Sequence, residues 1–141
     1  MNLISRISVS LILISAIFSF NISPVEYDIQ ISKDSLGPGE TFSIMIDTKI
    51  DSNFLIYASD TLNLNPTHIE WMDSSYFRRI DIMTDSKNPK VKFDKYLQTD
   101  VLYHTDQVSF YQEYQLVNNI NQGSVLLEGE FVYQACDDKM C

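Results

Sequence analysis

Apolar and polar residues alternate along two early segments of the chain, 25–32 and 41–47. A period of two residues is typical of a β-strand with one buried face. Between the segments, residues 36–40 have the glycine and proline positions of a turn. We therefore predict two strands joined by a turn. The side chains expected to point inward are Val25, Tyr27, Ile29, Ile31, Phe42, Ile44 and Ile46.

Further short strands are predicted along the rest of the chain. Residues 54–57 are a continuous apolar run, the form that a strand takes when both of its faces are covered. The other segments with strand patterns are 67–71, 77–83, 107–117 and 124–135. Because no segment sustains a period of 3.6 residues, we predict an all-β fold, an immunoglobulin-like antiparallel β-sandwich, with an antiparallel barrel as the alternative.

A long polar connection over 85–100 contains Phe93, Tyr96 and Leu97 among charged residues. Connections of this length in compact domains are usually functional or disordered loops. We therefore interpret it as a loop with a candidate role in function.

The first twenty residues predict export. A basic segment ending at Arg6 precedes an uncharged apolar run over 7–20, which is shorter than the ~20 apolar residues that span a bilayer comfortably but has the length of a secretory signal core. We predict a signal peptide over 1–20 and a single domain over 21–141, outside the cytoplasm. An uncleaved membrane anchor is the alternative interpretation of the same residues.

The charge of the chain excludes one class of partner. The net charge is −9, and removal of the signal peptide takes away Arg6, one of the ten basic residues, and none of the 19 acidic ones. An acidic domain of this kind repels the phosphate backbone, so no nucleic acid is expected as a partner.

The two cysteines, Cys136 and Cys141, are the candidate chemical site. Alternation along 124–135 places Cys136 on the same face as Glu128 and Glu130, which indicates a solvent-facing position. Four residues separate the cysteines, and a hairpin of that length brings them to a Cα distance of about 5.5 Å, within reach of a disulfide. We predict an exposed pair.

Three roles for this pair remain open from the spacing: redox exchange, a structural bridge, and metal binding. A disulfide that closes a loop this short stabilises the fold by roughly 2 kcal/mol, compared with ~3 kcal/mol for one that closes a 15-residue loop. It would therefore be an inefficient structural bridge. Zinc needs two further ligands, and the only histidines, His68 and His104, lack ligand spacing. We expect these histidines to be surface or half-buried strand residues, and we expect no metal or cofactor.

Asp137 and Asp138 follow Cys136 directly and modulate its chemistry. Their negative charges disfavour a thiolate, so we expect raised thiol pKa values that Lys139 only partly offsets. Such a dithiol reacts slowly in general and well only with a docked partner.

The string Val-Tyr-Gln-Ala-Cys-Asp-Asp-Lys-Met-Cys over 132–141 resembles the active-site hairpin of one family, the N-terminal periplasmic domain of the DsbD thiol:disulfide interchange proteins, or protein-disulfide reductases. Segments 51–57 and 66–71 resemble strands of the same domain. With the signal peptide, the resemblance covers essentially the whole chain. The cysteine string is fairly specific, whereas each upstream match is weak by itself.

The resemblance implies an immunoglobulin-like fold in which Cys136 and Cys141 lie on neighbouring strands and carry electrons. The donor would be a thioredoxin-like domain supplied through a membrane domain. The acceptor would be a periplasmic disulfide isomerase or a thioredoxin-like protein of cytochrome c maturation. Cys141 would form the mixed disulfide and Cys136 would resolve it. By position relative to Tyr103, a cap loop over the pair would be Tyr96 and Leu97.

The chain departs from the family pattern at its end. The family's cysteine pair is usually followed by Pro-Pro and a final strand, and this sequence ends at Cys141. We therefore expect a domain truncated at its C-terminus, with any membrane association in a missing C-terminal region.

A non-catalytic exported β-sandwich binding module with a structural disulfide is the alternative function. Its support is the sandwich fold, the acidic surface and the aromatic residues of the strands. A ligand groove could be built from Trp71, Phe110, Tyr111 and Tyr114, but such residues are more often packing residues of the core and sheet faces.

Overall fold

The computed structural model describes residues 23–60, 62–118, 123, 124 and 126–141. These residues form strands and no helix, which confirms the all-β prediction. No helix within them is long and apolar enough to cross a membrane. The predicted signal peptide over 1–20 lies outside the described residues. The strands are Val25–Ile31 (β1), Thr41–Ile50 (β2), Leu55–Tyr57 (β3), His68–Trp71 (β4), Phe77–Arg79 (β5), Thr84–Asp85 (β6), Lys90–Asp94 (β7), Thr99–His104 (β8), Gln107–Leu116 (β9), Gly129–Val132 (β10) and Ala135–Cys136 (β11).

The strands form three antiparallel sheets that pack as a sandwich, consistent with the immunoglobulin-like class. One sheet has the order β1-β2-β9-β5, with β6 also paired to β9. Opposite it lie a four-stranded sheet, β11-β3-β8-β7, and a two-stranded sheet, β10-β4. The two central strands, β2 and β9, supply the core from alternate positions, as their sequence pattern predicts. The buried apolar residues of these two strands are Phe42, Ile44, Ile46, Ile50, Val108, Phe110 and Tyr114.

The turn before β2 follows from its sequence. The Glu40 N–H donates to the Gly37 carbonyl at 3.1 Å, and Pro38 and Gly39 are the two central residues. Gly39 has φ +78°, a value that side chains disfavour and that a type II turn requires at its third position. The predicted turn is therefore confirmed.

An aromatic cluster fills one end of the sandwich. The ring centroids of Trp71 and Phe77 are 4.9 Å apart, and Phe42 stacks on Tyr114 at 5.4 Å. The indole N–H of Trp71 donates to the Tyr114 hydroxyl at 3.1 Å, so the polar atom of each ring has a hydrogen-bond partner. Trp71 and Tyr114 thus pack as core residues, whereas Tyr111, on the outer face of β9, is 44% exposed.

Strand β1 forms where predicted, but its predicted burial is mostly wrong. Val25 is buried, whereas Tyr27 is 51% and Ile29 52% exposed. The reason is position: β1 is the edge strand of its sheet and pairs only with β2. Opposite it, Phe131 of β10 contacts the Tyr27 ring at a centroid distance of 5.3 Å.

The connection over 85–100 is a β-hairpin rather than a loop, so that prediction is wrong. Strands β7 and β8 pair from Lys90 opposite Tyr103 to Asp94 opposite Thr99. Strand β7 has lysines at alternate positions, and its Phe93 is 62% exposed, as is typical of an edge strand. Because its apolar residues are not buried on one face, the sequence does not show the alternation that predicts a strand.

Candidate functional site

Cys136 and Cys141 form a disulfide, with their Cα atoms 4.0 Å apart. Cys136 is only 1% exposed and packs with Tyr57 and Val101, whereas Cys141 is exposed. The prediction that Cys136 faces solvent is therefore wrong, and only Cys141 of the pair is exposed.

A change of sheet explains this error. Segment 124–135 is not one strand, because β10 pairs with β4, the chain then leaves strand geometry at Tyr133 and Gln134, and β11 pairs with β3. Alternation counted along β10 does not carry across such a break. Cys136 therefore points into the four-stranded sheet's side of the core, on the edge strand opposite Leu55.

The four residues between the cysteines form a turn held by Asp137. Its Oδ1 accepts the backbone N–H groups of Lys139 and Met140, each at 2.7 Å, and its own N–H donates to the Met140 carbonyl at 2.9 Å. The N–H of Met140, followed by that of Lys139, holds the pKa of Asp137 below its ordinary value. Asp137 therefore orders the turn between the two cysteines, whereas Asp138 is exposed.

Tyr57 connects the disulfide to the rest of the sheet. This side chain is fully buried; its hydroxyl donates to Asp94 Oδ2 at 3.3 Å and lies 4.0 Å from Cys141 Sγ. Burial, then the Asp94 charge and the hydrogen bond to it, raise the pKa of Tyr57. The sequence predicts burial on both faces of 54–57, but it gives no signal that a tyrosine there reaches the cysteines.

Asp94 joins Tyr57 to the tip of the β7-β8 hairpin. Its Oδ1 accepts the backbone N–H groups of Tyr96 at 2.8 Å and Leu97 at 3.0 Å. These N–H groups, with Leu97 first, lower the pKa of Asp94. The two predicted cap residues are thus linked to Cys141 through Asp94 and Tyr57. The Tyr96 side chain is 74% exposed, and a capping role for it stays a prediction.

An open groove of about 470 Å³ lies beside Cys141. Asn65 Nδ2 donates to Gln134 Oε1 at 2.8 Å and joins its two walls. The remaining lining is largely apolar, so a partner side chain in this groove would lie next to the exposed cysteine. The lining includes Leu64, Pro66, His68, Tyr133, Ala135 and Cys141.

A buried polar cluster fixes the base of the same hairpin. Asp85 Oδ2 lies 2.6 Å from His104 Nε2, and Asp85 Oδ1 accepts the Ser59 hydroxyl at 2.5 Å. His104 is 1% exposed, so the prediction of a surface or half-buried residue is wrong for it and correct for the half-buried His68. Within the described ranges, no group of three or more His, Cys, Asp and Glu residues is placed to hold a metal.

No protein-family model, no curated protein and no solved structure matches this chain. The resemblance to the DsbD N-terminal domain stays a prediction that rests on the cysteine string and the two upstream segments.

Proposed function

We propose that this chain is an exported thiol-disulfide exchange domain that carries two reducing equivalents through the Cys136/Cys141 pair. The observation that carries the proposal is the unequal exposure of the two bridged cysteines, one buried and one exposed beside a groove. Exchange requires an attackable sulfur and a second sulfur that is protected from solvent, and this pair offers one of each.

In the loading step, a thiolate of a dithiol donor attacks Cys141 Sγ and the Cys136–Cys141 bond breaks. Cys136 leaves as a thiolate and takes a proton, and a mixed disulfide joins Cys141 to the donor. The donor's second thiolate then attacks its own sulfur in the mixed disulfide, which releases Cys141 as a thiol and leaves the donor oxidised. Delivery reverses these steps: Cys141 attacks the acceptor's disulfide and Cys136 resolves the intermediate.

The surrounding charges favour exchange with a docked partner over exchange with free thiols. Asp94 and Asp137 are both held ionised by backbone N–H groups, and negative charges near a sulfur disfavour its thiolate. A partner that occupies the groove excludes water there. The hairpin tip with the candidate cap residues Tyr96 and Leu97 lies outside the groove lining and is linked to Cys141 through Asp94 and Tyr57.

The partners and the compartment follow from the resemblance and the signal peptide. The donor is a thioredoxin-like domain, and the acceptor is a periplasmic disulfide isomerase or a thioredoxin-like protein of cytochrome c maturation. The groove supports a protein partner, because its walls carry apolar side chains such as Leu64, Pro66 and Tyr133 next to the exposed cysteine.

A trapping experiment tests the proposal. The Cys136→Ala variant keeps the exposed Cys141 and should accumulate a mixed disulfide with an oxidised thioredoxin-like protein, detected by intact mass. Cys141→Ala is the matched control, because its remaining thiol is buried and should trap far less. Equal trapping by both variants, or none by either, would contradict the proposal. So would a reduction potential below about −300 mV, the range of structural disulfides.

A non-catalytic binding module with a structural disulfide remains the second candidate, and the burial of Cys136 favours it. Cys136 packs in a small core cluster with Tyr57 and Val101, where a bridge could serve packing alone. The Cys136→Ala/Cys141→Ala double variant separates the two functions. If the double variant unfolds and the parent chain shows no measurable exchange, the binding module is supported. If the double variant folds and the exchange seen in the parent chain is lost, the carrier is supported.

A further inference from the structure

A second cavity, of about 630 Å³, opens on the other side of the 66–68 segment, away from the disulfide. Its walls come from β4, β5 and β9 and from the chain between β5 and β6. This volume lies within the range of small-molecule sites, which are typically apolar with a few convergent polar groups.

The register of β5 against β9 explains which side chains face this cavity. Arg79 lies opposite Tyr114, and Phe77 lies two residues before Arg79 on the same inward face. Gln112 lies two residues before Tyr114 and shares its face of β9. The guanidinium of Arg79, the phenol of Tyr114 and the amide of Gln112 therefore line one concave surface. The rings of Trp71 and Phe77 lie beside them.

Gln112 carries an unused hydrogen-bond acceptor at this surface. The side chain is 98% buried, being 2% exposed, and its Nε2 donates to the carbonyls of Asp81 and Glu113. No donor among the described residues reaches its Oε1, and no buried side-chain nitrogen or oxygen atom there lacks a hydrogen-bond partner, so this oxygen is accessible at the cavity wall. An accessible amide oxygen of this kind can accept a hydrogen bond from a ligand.

Tyr114 adds an unused donor next to it. Its oxygen accepts the Trp71 indole N–H at 3.1 Å, but its own O–H donates to no described group. Burial raises the pKa of this phenol, against which the Trp71 hydrogen bond and the nearby Arg79 charge act. The hydroxyl therefore stays protonated at neutral pH and is available to donate.

The charge of the cavity is opposite to that of the whole chain. Both arginines beyond the predicted signal peptide line it, in a sequence with a net charge of −9. Arg78 is already engaged, because Gln115 Oε1 accepts from its Nε at 3.0 Å. Arg79 makes no hydrogen bond or ion pair with the described residues, so its guanidinium is free to bind a carboxylate.

We propose that this cavity binds a small cyclic carboxylate. The ligand's ring packs against Trp71 and Phe77, and its carboxylate pairs with Arg79. A hydroxyl on the ring donates to Gln112 Oε1 and accepts from the Tyr114 hydroxyl. The site contains neither cysteine, so the outcome of a binding test does not depend on the exchange function.

Binding can be measured directly because Trp71 is the only tryptophan and gives a single indole N–H signal in a ¹⁵N–¹H correlation spectrum. The probe is 4-hydroxybenzoate, and 4-hydroxybenzamide is its uncharged counterpart. We expect a saturable shift of the Trp71 signal by the carboxylate, with an affinity at least about five-fold higher than that of the amide. The absence of a saturable shift with millimolar carboxylate would overturn the proposal.

Two variants decide where the carboxylate binds. Arg79→Gln should abolish the preference for the carboxylate over the amide, whereas Lys49→Gln, at a lysine that pairs with Glu26 and lies outside the cavity lining, should keep it within about two-fold. Both residues are exposed, so both variants are expected to fold. A preference that survives Arg79→Gln, or that Lys49→Gln removes equally, would show that the carboxylate does not bind as proposed.

Discussion

The two layers of the sandwich are stabilised by different interactions. The inner face of the five-stranded sheet consists mainly of apolar side chains from β2 and β9, with Phe110 and Ile46 at most 1% exposed. The layer that carries the disulfide buries more polar groups. Its buried polar residues are Asn63, Thr67, Asp94 and His104, and the 8% exposed side chain of Asp85 reaches His104 from β6 of the five-stranded sheet.

This difference matters because the two kinds of contact respond differently to change. Apolar packing depends on volume and tolerates substitutions of similar size. A buried hydrogen bond depends on two specific atoms. If one of them is removed, the other stays buried without a partner, and nothing offsets the cost of its desolvation. Asn63 illustrates the second kind: its side chain donates to the Leu102 carbonyl and accepts the Leu102 N–H, both at 2.8 Å, in the manner of a paired strand.

The largest expected effect tests the apolar layer. Phe110→Ala removes a fully buried ring that contacts Phe131 at a centroid distance of 5.8 Å. It should lower the free energy of unfolding by about 3–5 kcal/mol, measured by urea denaturation. The matched control is Tyr111→Ala on the outer face of the same strand, which should cost less than about 1 kcal/mol. Similar losses for the two variants would contradict the described orientation of β9.

The next effect tests the polar layer. Asp85→Ala, in β6 facing this layer, removes the acceptor of His104 Nε2 and leaves the Ser59 hydroxyl with the Met83 carbonyl as its acceptor. We expect a loss of about 3 kcal/mol in the free energy of unfolding. The control is Asp100→Ala, at an exposed position of β8, the strand that also carries His104. Its free energy of unfolding should stay within about 0.5 kcal/mol of the parent. A loss at Asp85 no larger than that at Asp100 would remove the distinction between the layers.

A smaller effect concerns the reactivity of Cys141. In the Cys136→Ala background, Asp94→Asn removes a negative charge near the remaining thiol but keeps an oxygen for the Tyr96 and Leu97 N–H groups. The pKa of the Cys141 thiol should fall, and its alkylation by iodoacetamide at neutral pH should accelerate about three-fold. Asp28→Asn, on the five-stranded sheet, is the control and should leave the rate unchanged. A slower or unchanged rate for Asp94→Asn would argue against electrostatic control by Asp94.

The smallest effect is a pH dependence of the turn between the cysteines. Backbone N–H groups lower the pKa of Asp137 in the folded chain, so its stabilising contribution is present above the unfolded value of about 3.9 and is lost as pH falls through the folded value. The protection of the Lys139 and Met140 amides from hydrogen exchange, relative to unstructured amides at the same pH, should therefore fall in that acidic range.

Two variants check this assignment. Asp137→Asn keeps the acceptor oxygen but cannot titrate, so the exchange of the two amides should lose this pH dependence. Asp138→Asn changes the exposed neighbour, which accepts no hydrogen bond from the described residues, and should behave as the parent does. A pH dependence that persists in Asp137→Asn would assign it to another group.

The apolar layer could be predicted from the sequence far better than the polar one. Alternation identifies β2 and the inward positions Phe42, Ile44 and Ile46, because a half-buried central strand has the period-two pattern along its whole length. It overestimates burial in β1, since an edge strand keeps the pattern of its neighbour without the same cover. It misses β7, where lysines and exposed apolar residues serve an edge rather than a core.

At the candidate site, the cysteine pairing was predictable and its orientation was not. The spacing of Cys136 and Cys141 predicts a local bridge. The exposure of Cys136 depends on the break at Tyr133 and Gln134, a tertiary feature without a pattern in one sequence. Tyr57 and Asp94 could not be identified as partners of Cys141, because they are distant from it along the chain and meet it only through the pairing of β3, β7 and β8.

The ring closed by the disulfide is ordered by hydrogen bonds between its own residues. Four residues lie between its two cysteines, and the turn inside it is held by Asp137 contacts with the Lys139 and Met140 backbone. Strand β11, by contrast, reaches its sheet only by pairing with β3 from the first half of the domain. Closure of the ring therefore requires no long-range contact and can precede assembly of the sandwich. The oxidant that the nascent chain meets, rather than the finished fold, then decides whether the strands assemble around an open or a closed ring.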